Sequence, residues 1–138
     1  MQTPRYIVVE GPIGVGKTTL VRKLAHNLAN SEIVLESFED NPFLPLFYQD
    51  QERYAFQTEV FFMLSRFKQQ ETLAQHDLFT SHIISDYLFG KTRLFAGQTL
   101  NDDEFSLYDR MFQHLDARVV QPDLVIYLSA PVDALLSR

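Results

Sequence analysis

YIVVEGPIGVGKTTL, from Tyr6 to Leu20, is the stretch on which the fold turns. Tyr6 to Val9 is a β-branched apolar run that stops at Glu10 and a group of glycines, the pattern of a buried strand running into a tight turn. Beyond the glycines, from Thr18 to Asn30, Leu20, Leu24 and Leu28 recur on one helical face. Between the two elements, Gly11-Pro12-Ile13-Gly14-Val15-Gly16-Lys17-Thr18 fits G-x-x-x-x-G-K-[ST] in full, in the strand-then-helix setting that gives this pattern its meaning. Glycines let successive backbone N–H groups curl around a phosphate without Cβ clashes, and the N-terminus of the following helix adds its partial positive charge.

Working outward, further strands are expected at Glu32–Leu35, His82–Ser85 and Leu124–Leu128, each a short apolar run. The stretch 52–75 lacks Gly and Pro and reads as one long helix with Phe56, Val60, Met63, Leu64 and Phe67 as its apolar stripe. Asp102 to Ala117 reads as a helix with acids in its first turn, and another helix begins at Pro131. Pro42 and Pro45 make 37–50 a loop or broken short helices. Strands alternating with helices predict an α/β fold, a parallel sheet with helices on both faces.

Size and composition bound the function. A chain of 138 residues with 46% hydrophobic content has one core and no room for a second domain. The formal charge of −6 excludes a long nucleic-acid or anionic-membrane surface but leaves room for a small anion in a local basic nest. With no cysteine, disulfides and thiolate metal sites are excluded. The apolar run before Glu10 is too short for a signal peptide or membrane span, so a cytoplasmic protein is expected.

The candidate nucleotide-binding residues are Gly11, Gly14, Val15, Gly16, Lys17, Thr18 and Thr19 of this P-loop. Lys17 offers a mobile positive charge to the β and γ phosphates of ATP, and the Thr18 hydroxyl is an oxygen ligand of the kind Mg²⁺ prefers. Glu36 and Asp86 stand at the carboxyl ends of the second and third strands, the edge where open α/β sheets bind ligands. One of them could deprotonate an attacking hydroxyl while the other holds magnesium; solvated loop acids or helix caps are the plainer alternative. On the long helix Glu59, Phe62 and Arg66 share a face and could hydrogen-bond and stack a planar base, although a solvated charged edge is what such a set more often is.

Four segments together resemble the deoxynucleoside kinase family, in particular its bacterial deoxyadenosine, deoxyguanosine and deoxycytidine kinases. They are VVEGPIGVGKTTL, LESFEDNPFLPLFYQD, ERYAFQTEVFFMLSRFKQ and PDLVIYLSAPVDALLSR, in order and spanning nearly the whole chain. The resemblance implies a single P-loop kinase domain over 1–138, truncated before the lid and last strand, that transfers the ATP γ-phosphoryl group to the 5′-hydroxyl of a deoxynucleoside. It implies Glu36 as the base, with Lys17 catalytic at the phosphates, Thr18 and Asp86 on the magnesium side, Tyr48 at the sugar 3′-hydroxyl and Arg66 at the base. Arg138 is similar to the first arginine of the family's phosphate-side helix, and a homodimer is the family's usual assembly.

Two positions depart from the family pattern. Glu59 stands where a base-reading glutamine is common, and an ionised glutamate only accepts hydrogen bonds, so it either suits an N–H-rich edge such as guanine N1 and N2 or pairs with Arg66 instead. Tyr87 follows Asp86 where the family shows arginine, so the charge of that arginine is missing there. Other readings are a thymidylate-like nucleoside monophosphate kinase, for which the region after Glu36 supplies no basic residue before Arg53, and an ATP-binding module without catalysis.

Overall fold

A computed structural model describes residues 5–12, 16–36, 41–74 and 82–131, without the side chains of 72–74. The chain divides into two compact units, one of Met1–Glu36, His76–Leu88 and Gln121–Arg138, the other of Ser37–Gln75 and Phe89–Val120.

The first unit contains β1 (Tyr6–Glu10), α1 (Lys17–Asn27), β2 (Ser31–Val34), β3 (His82–Ser85) and β4 (Leu124–Tyr127). The strands form one parallel sheet in the order β2-β3-β1-β4. β1 lies inside the sheet, and Val8 and Val9 are fully buried, which is why its sequence is an unbroken apolar run rather than an alternating one. Ile7, Val9, Val21 and Ile84 form the core here, and Leu20, Leu24 and Leu28 of the expected helical face pack against it. Asp123 closes the entry to the sheet: its carboxylate accepts the N–H groups of Arg5 and Tyr6, both at 2.9 Å, and its own N–H donates to the Tyr6 carbonyl. β4 is an edge strand, with Leu124, Val125 and Tyr127 exposed.

α1 ends three residues before the expected Asn30. Leu28 is already extended, and Asn30 takes the left-handed conformation (φ 56°) that Asn tolerates, turning the chain into β2. The expected strands lie within one residue or so of the observed ones at each end. The helix expected from Pro131 falls on residues 132–138, outside the described ones.

The second unit is helical: α2 (Leu44–Gln49), α3 (Gln51–Ala74), α4 (Lys91–Thr99) and α5 (Asp102–Asp116). α2 resolves the ambiguous proline segment, with Pro45 in its first turn where a missing N–H costs nothing. α5 opens on a capping box in which Asn101 accepts from Glu104 N–H at 2.8 Å and Glu104 accepts from Asn101 N–H at 3.2 Å. Ala55, Met63, Phe67, Phe89, Ala96, Leu100, Tyr108 and Phe112 make the core, with the Phe89 and Phe112 rings stacked 5.2 Å apart.

α3 differs from the expected stripe. Met63 and Phe67 are buried as foreseen, but Leu64 is half exposed, and the buried face runs through Ala55, Thr58, Glu59, Met63, Arg66, Phe67 and Gln70. Four of those seven side chains are polar, so counting apolar residues alone rotated the stripe away from its true position.

Candidate functional site

The sheet's parallel register places the candidate residues of the first unit on one edge. Val8 pairs with Ser85, and Ser85 with Val34, so Glu10 at the carboxyl end of β1, and Asp86 and Glu36 just beyond those of β3 and β2, share one edge of adjacent strands. Gly16 caps α1 with φ 99° and ψ 27°, a left-handed conformation. A Cβ built there meets nothing within 4 Å, so glycine is required by the backbone and not by crowding. Lys17 begins the helix, and its Nζ lies 4.0 Å from Glu10 Oε1, both side chains mostly buried. Thr18 and Thr19 are exposed in the first turn. Gly11 directly follows β1, whereas Gly14, Val15 and Arg138 lie outside the described residues.

Glu36 and Asp86 are joined. The Glu36 N–H donates to Asp86 Oδ1 at 2.7 Å, and the Asp86 N–H donates to the Val34 carbonyl at 3.3 Å. The next residues are fixed as well: the Ser85 hydroxyl accepts from Tyr87 N–H and donates to Tyr87 O, and the Tyr87 ring is 1% exposed. Tyr87 is therefore a core residue. Among the described residues no group of three or more His, Cys, Asp or Glu forms a metal cage. Thr18 and Asp86 still suit Mg²⁺, which is usually taken with one or two protein oxygens plus substrate phosphates.

The second unit holds the other candidates. Tyr48 is 71% exposed beside the Phe47 ring. Glu59 and Arg66 are 8% and 7% exposed, so the solvated-edge reading is replaced by a buried pair. The Arg66 guanidinium lies over the Phe62 ring, 4.9 Å from its centroid, and its Nη1 donates to Thr92 Oγ1 at 3.3 Å. Burial pushes the Glu59 carboxyl above its ordinary 4.5, while Arg66 and the Thr99 hydroxyl pull it down. The Tyr108 hydroxyl joins this group from α5. It is fully buried with no hydrogen-bond partner among the described residues, and burial, then the nearby Glu59 carboxylate, raise its pKa. Thr92, Thr99 and Tyr108 carried no signal in the sequence: the first two lie on α4, which was not anticipated, and Tyr108 reads as one more aromatic on the apolar face of α5.

A glycine-rich phosphate-loop motif feeding α1, on the same sheet edge as Asp86 and the Glu36 amide it holds, is the arrangement of a P-loop nucleotide-binding protein. The comparisons narrow this class. The family model for deoxynucleoside kinases matches residues 7–138. A deoxyguanosine kinase of Bacillus subtilis is 36% identical over 139 residues, covering 100% of this chain and 67% of its own length. A deoxyadenosine kinase of Dictyostelium discoideum is 34% identical over 136 residues, covering 96% of this chain and 55% of its own. The chain thus spans roughly half to two thirds of these curated relatives. The structure of a deoxyadenosine kinase from M. mycoides with bound dATP superposes with a TM-score of 0.77 at 22% identity, covering 96% of this chain and 68% of that one, which supports the fold. The chain belongs to the deoxynucleoside kinase family.

No helix among the described residues is long and apolar enough to cross a membrane.

Proposed function

We propose that this chain transfers the γ-phosphoryl group of ATP to the 5′-hydroxyl of a deoxynucleoside. The observation that carries the reading is the carboxyl edge of the first unit, where Glu36 and Asp86 are joined at 2.7 Å on the edge from which the phosphate loop springs. Glu36 takes the hydroxyl proton, the oxygen bonds to the γ-phosphorus, and the bond from that phosphorus to the β–γ bridging oxygen breaks to release ADP. Backbone N–H groups of the Gly11–Gly16 motif, Gly11, Gly14, Val15 and Gly16 among them, cradle the phosphates, Lys17 offsets their charge, and Thr18, Thr19 and Arg138 complete that side. Mg²⁺ supplies further neutralisation, with Thr18 and Asp86 as its protein oxygens. Tyr48 holds the sugar, and Phe62, Arg66 and Glu59 hold the base.

The base is guanine on this reading. A cation beside an acceptor suits the guanine edge, whose O6 and N7 accept while N1 and N2 donate. Deoxyguanosine is what a relative of 36% identity is named for. A cytoplasmic homodimer that binds no nucleic acid belongs to the same reading, supported by the family resemblance and the charge of −6.

The test is ADP production from ATP–Mg²⁺ with deoxyguanosine, deoxyadenosine, deoxycytidine, thymidine and thymidine monophosphate. Turnover highest with deoxyguanosine and lost in Glu36→Gln is the expected result. Turnover with the monophosphate alone would make the chain a nucleoside monophosphate kinase, and ATP binding without acceptor-dependent ADP would leave a nucleotide-binding module.

A further inference from the structure

We infer that Asp86 is a positioning residue for the base, holding Glu36 in place through its backbone N–H, a role separate from any share in binding magnesium. The inference rests on the reading of Glu36 as base. β2 and β3 pair in parallel up to Val34 and Ser85, and the ladder would end there. Asp86 prolongs it by one step on each side: its N–H donates back to Val34 O at 3.3 Å, and its Oδ1 accepts the Glu36 N–H at 2.7 Å. The side chain thus stands where the next backbone carbonyl of a longer strand would have been, and a carboxylate acceptor makes the bond stronger than a neutral one.

Asp86 can hold its neighbour because it is held itself. Immediately before it, Ser85 is fully buried and its hydroxyl is bonded to both the N–H and the carbonyl of Tyr87 immediately after it. The buried Tyr87 ring fixes the second anchor. A flexible loop acid would lose much of the bond's worth to ordering entropy, whereas an acid between two fixed residues has little left to lose. Only one of the two carboxylate oxygens is used for the Glu36 N–H, so a metal role for the other is compatible with this one.

Asparagine and alanine at this position separate the two roles. Asp86→Asn keeps an oxygen acceptor for the Glu36 N–H but loses the charge that favours a divalent cation, and Asp86→Ala loses both. The measurement is amide exchange at Glu36 in the nucleotide-free full chain, by NMR, for the parent and both variants, together with steady-state kinetics at saturating Mg²⁺. We expect the Glu36 amide to be protected in the parent and Asp86→Asn and to exchange about tenfold faster or more in Asp86→Ala. We expect kcat to fall about tenfold further in Asp86→Ala than in Asp86→Asn while the KM for ATP stays within about threefold. Equal Glu36 exchange in all three proteins would overturn the proposal. So would equal kcat losses in the two variants that additional Mg²⁺ restores, the mark of a metal ligand alone. If even the parent transfers no phosphoryl group, the exchange result still decides whether Asp86 holds Glu36, and the reading that fails is the kinase activity.

Discussion

Three residues carry predictions at the residue scale. Gly16 is left-handed with open space around its missing Cβ, so the cost of Gly16→Ala is conformational: about 1–2 kcal/mol, read as a lower urea midpoint with an unchanged slope. Lys17→Ala should weaken ATP–Mg²⁺ binding by about tenfold or more, as calorimetric titration would register. Glu59 carries a pH signature. Because burial raises its carboxyl pKa above the unfolded 4.5, the folded state binds the proton more tightly than the unfolded state does. The stabilisation this gives is present below pH 4.5 and is lost as pH rises through the raised pKa. Glu59→Gln, which cannot ionise, should therefore gain stability relative to the parent between acid and neutral pH. Urea unfolding of both proteins at the two pH values checks the sign, and a gap that narrows on going to neutral pH contradicts it.

At the scale of elements, the helices of the second unit depend on a cap and a stack. Asn101→Ala removes the acceptor for Glu104 N–H and should cost about 1 kcal/mol of stability by chemical denaturation. Phe112, 4% exposed and stacked on Phe89, sits deeper, and Phe112→Ala should cost about 3–5 kcal/mol. These elements also show what a sequence discloses. β1 and β3 were readable because strands inside a parallel sheet must be apolar on both faces, and α5 because acids crowd its first turn. α4 was missed because its apolar residues, Leu94, Phe95 and Ala96, are consecutive rather than periodic; two are exposed and Ala96 alone is buried. The phosphate loop is local chemistry written into a local motif. The Glu59–Arg66 spacing was equally visible, but its burial depends on α4 and α5 packing around it, which no window of α3 contains.

Across the whole molecule, the candidate residues separate by unit. Gly11, Lys17, Thr18, Glu36 and Asp86 belong to the first, and Tyr48, Glu59, Phe62 and Arg66 to the second. On the proposed reading the phosphates belong to the sheet edge and the base to the helical core, which makes the triphosphate and the base separable by where they protect the chain. A ligand at one hundred times its Kd stabilises whatever it binds by about 2.7 kcal/mol, roughly a hundredfold slowing of exchange through the openings it suppresses. Hydrogen exchange on the full chain should show ATP–Mg²⁺ slowing amides at the start of α1, and deoxyguanosine slowing those of α3 around Glu59 and Arg66. Lys17→Ala should remove the first pattern and spare the second. Glu59→Gln should weaken the second for deoxyguanosine, whose N1 and N2 donate, and much less for deoxyadenosine, whose N1 accepts and can take a hydrogen bond from the new amide. Protection of α1 by deoxyguanosine without protection of α3 would take the base away from Glu59 and Arg66, and an unchanged guanine preference in Glu59→Gln would remove Glu59 from base reading, because a group that only accepts cannot be exchanged for one that also donates without altering which edge it prefers.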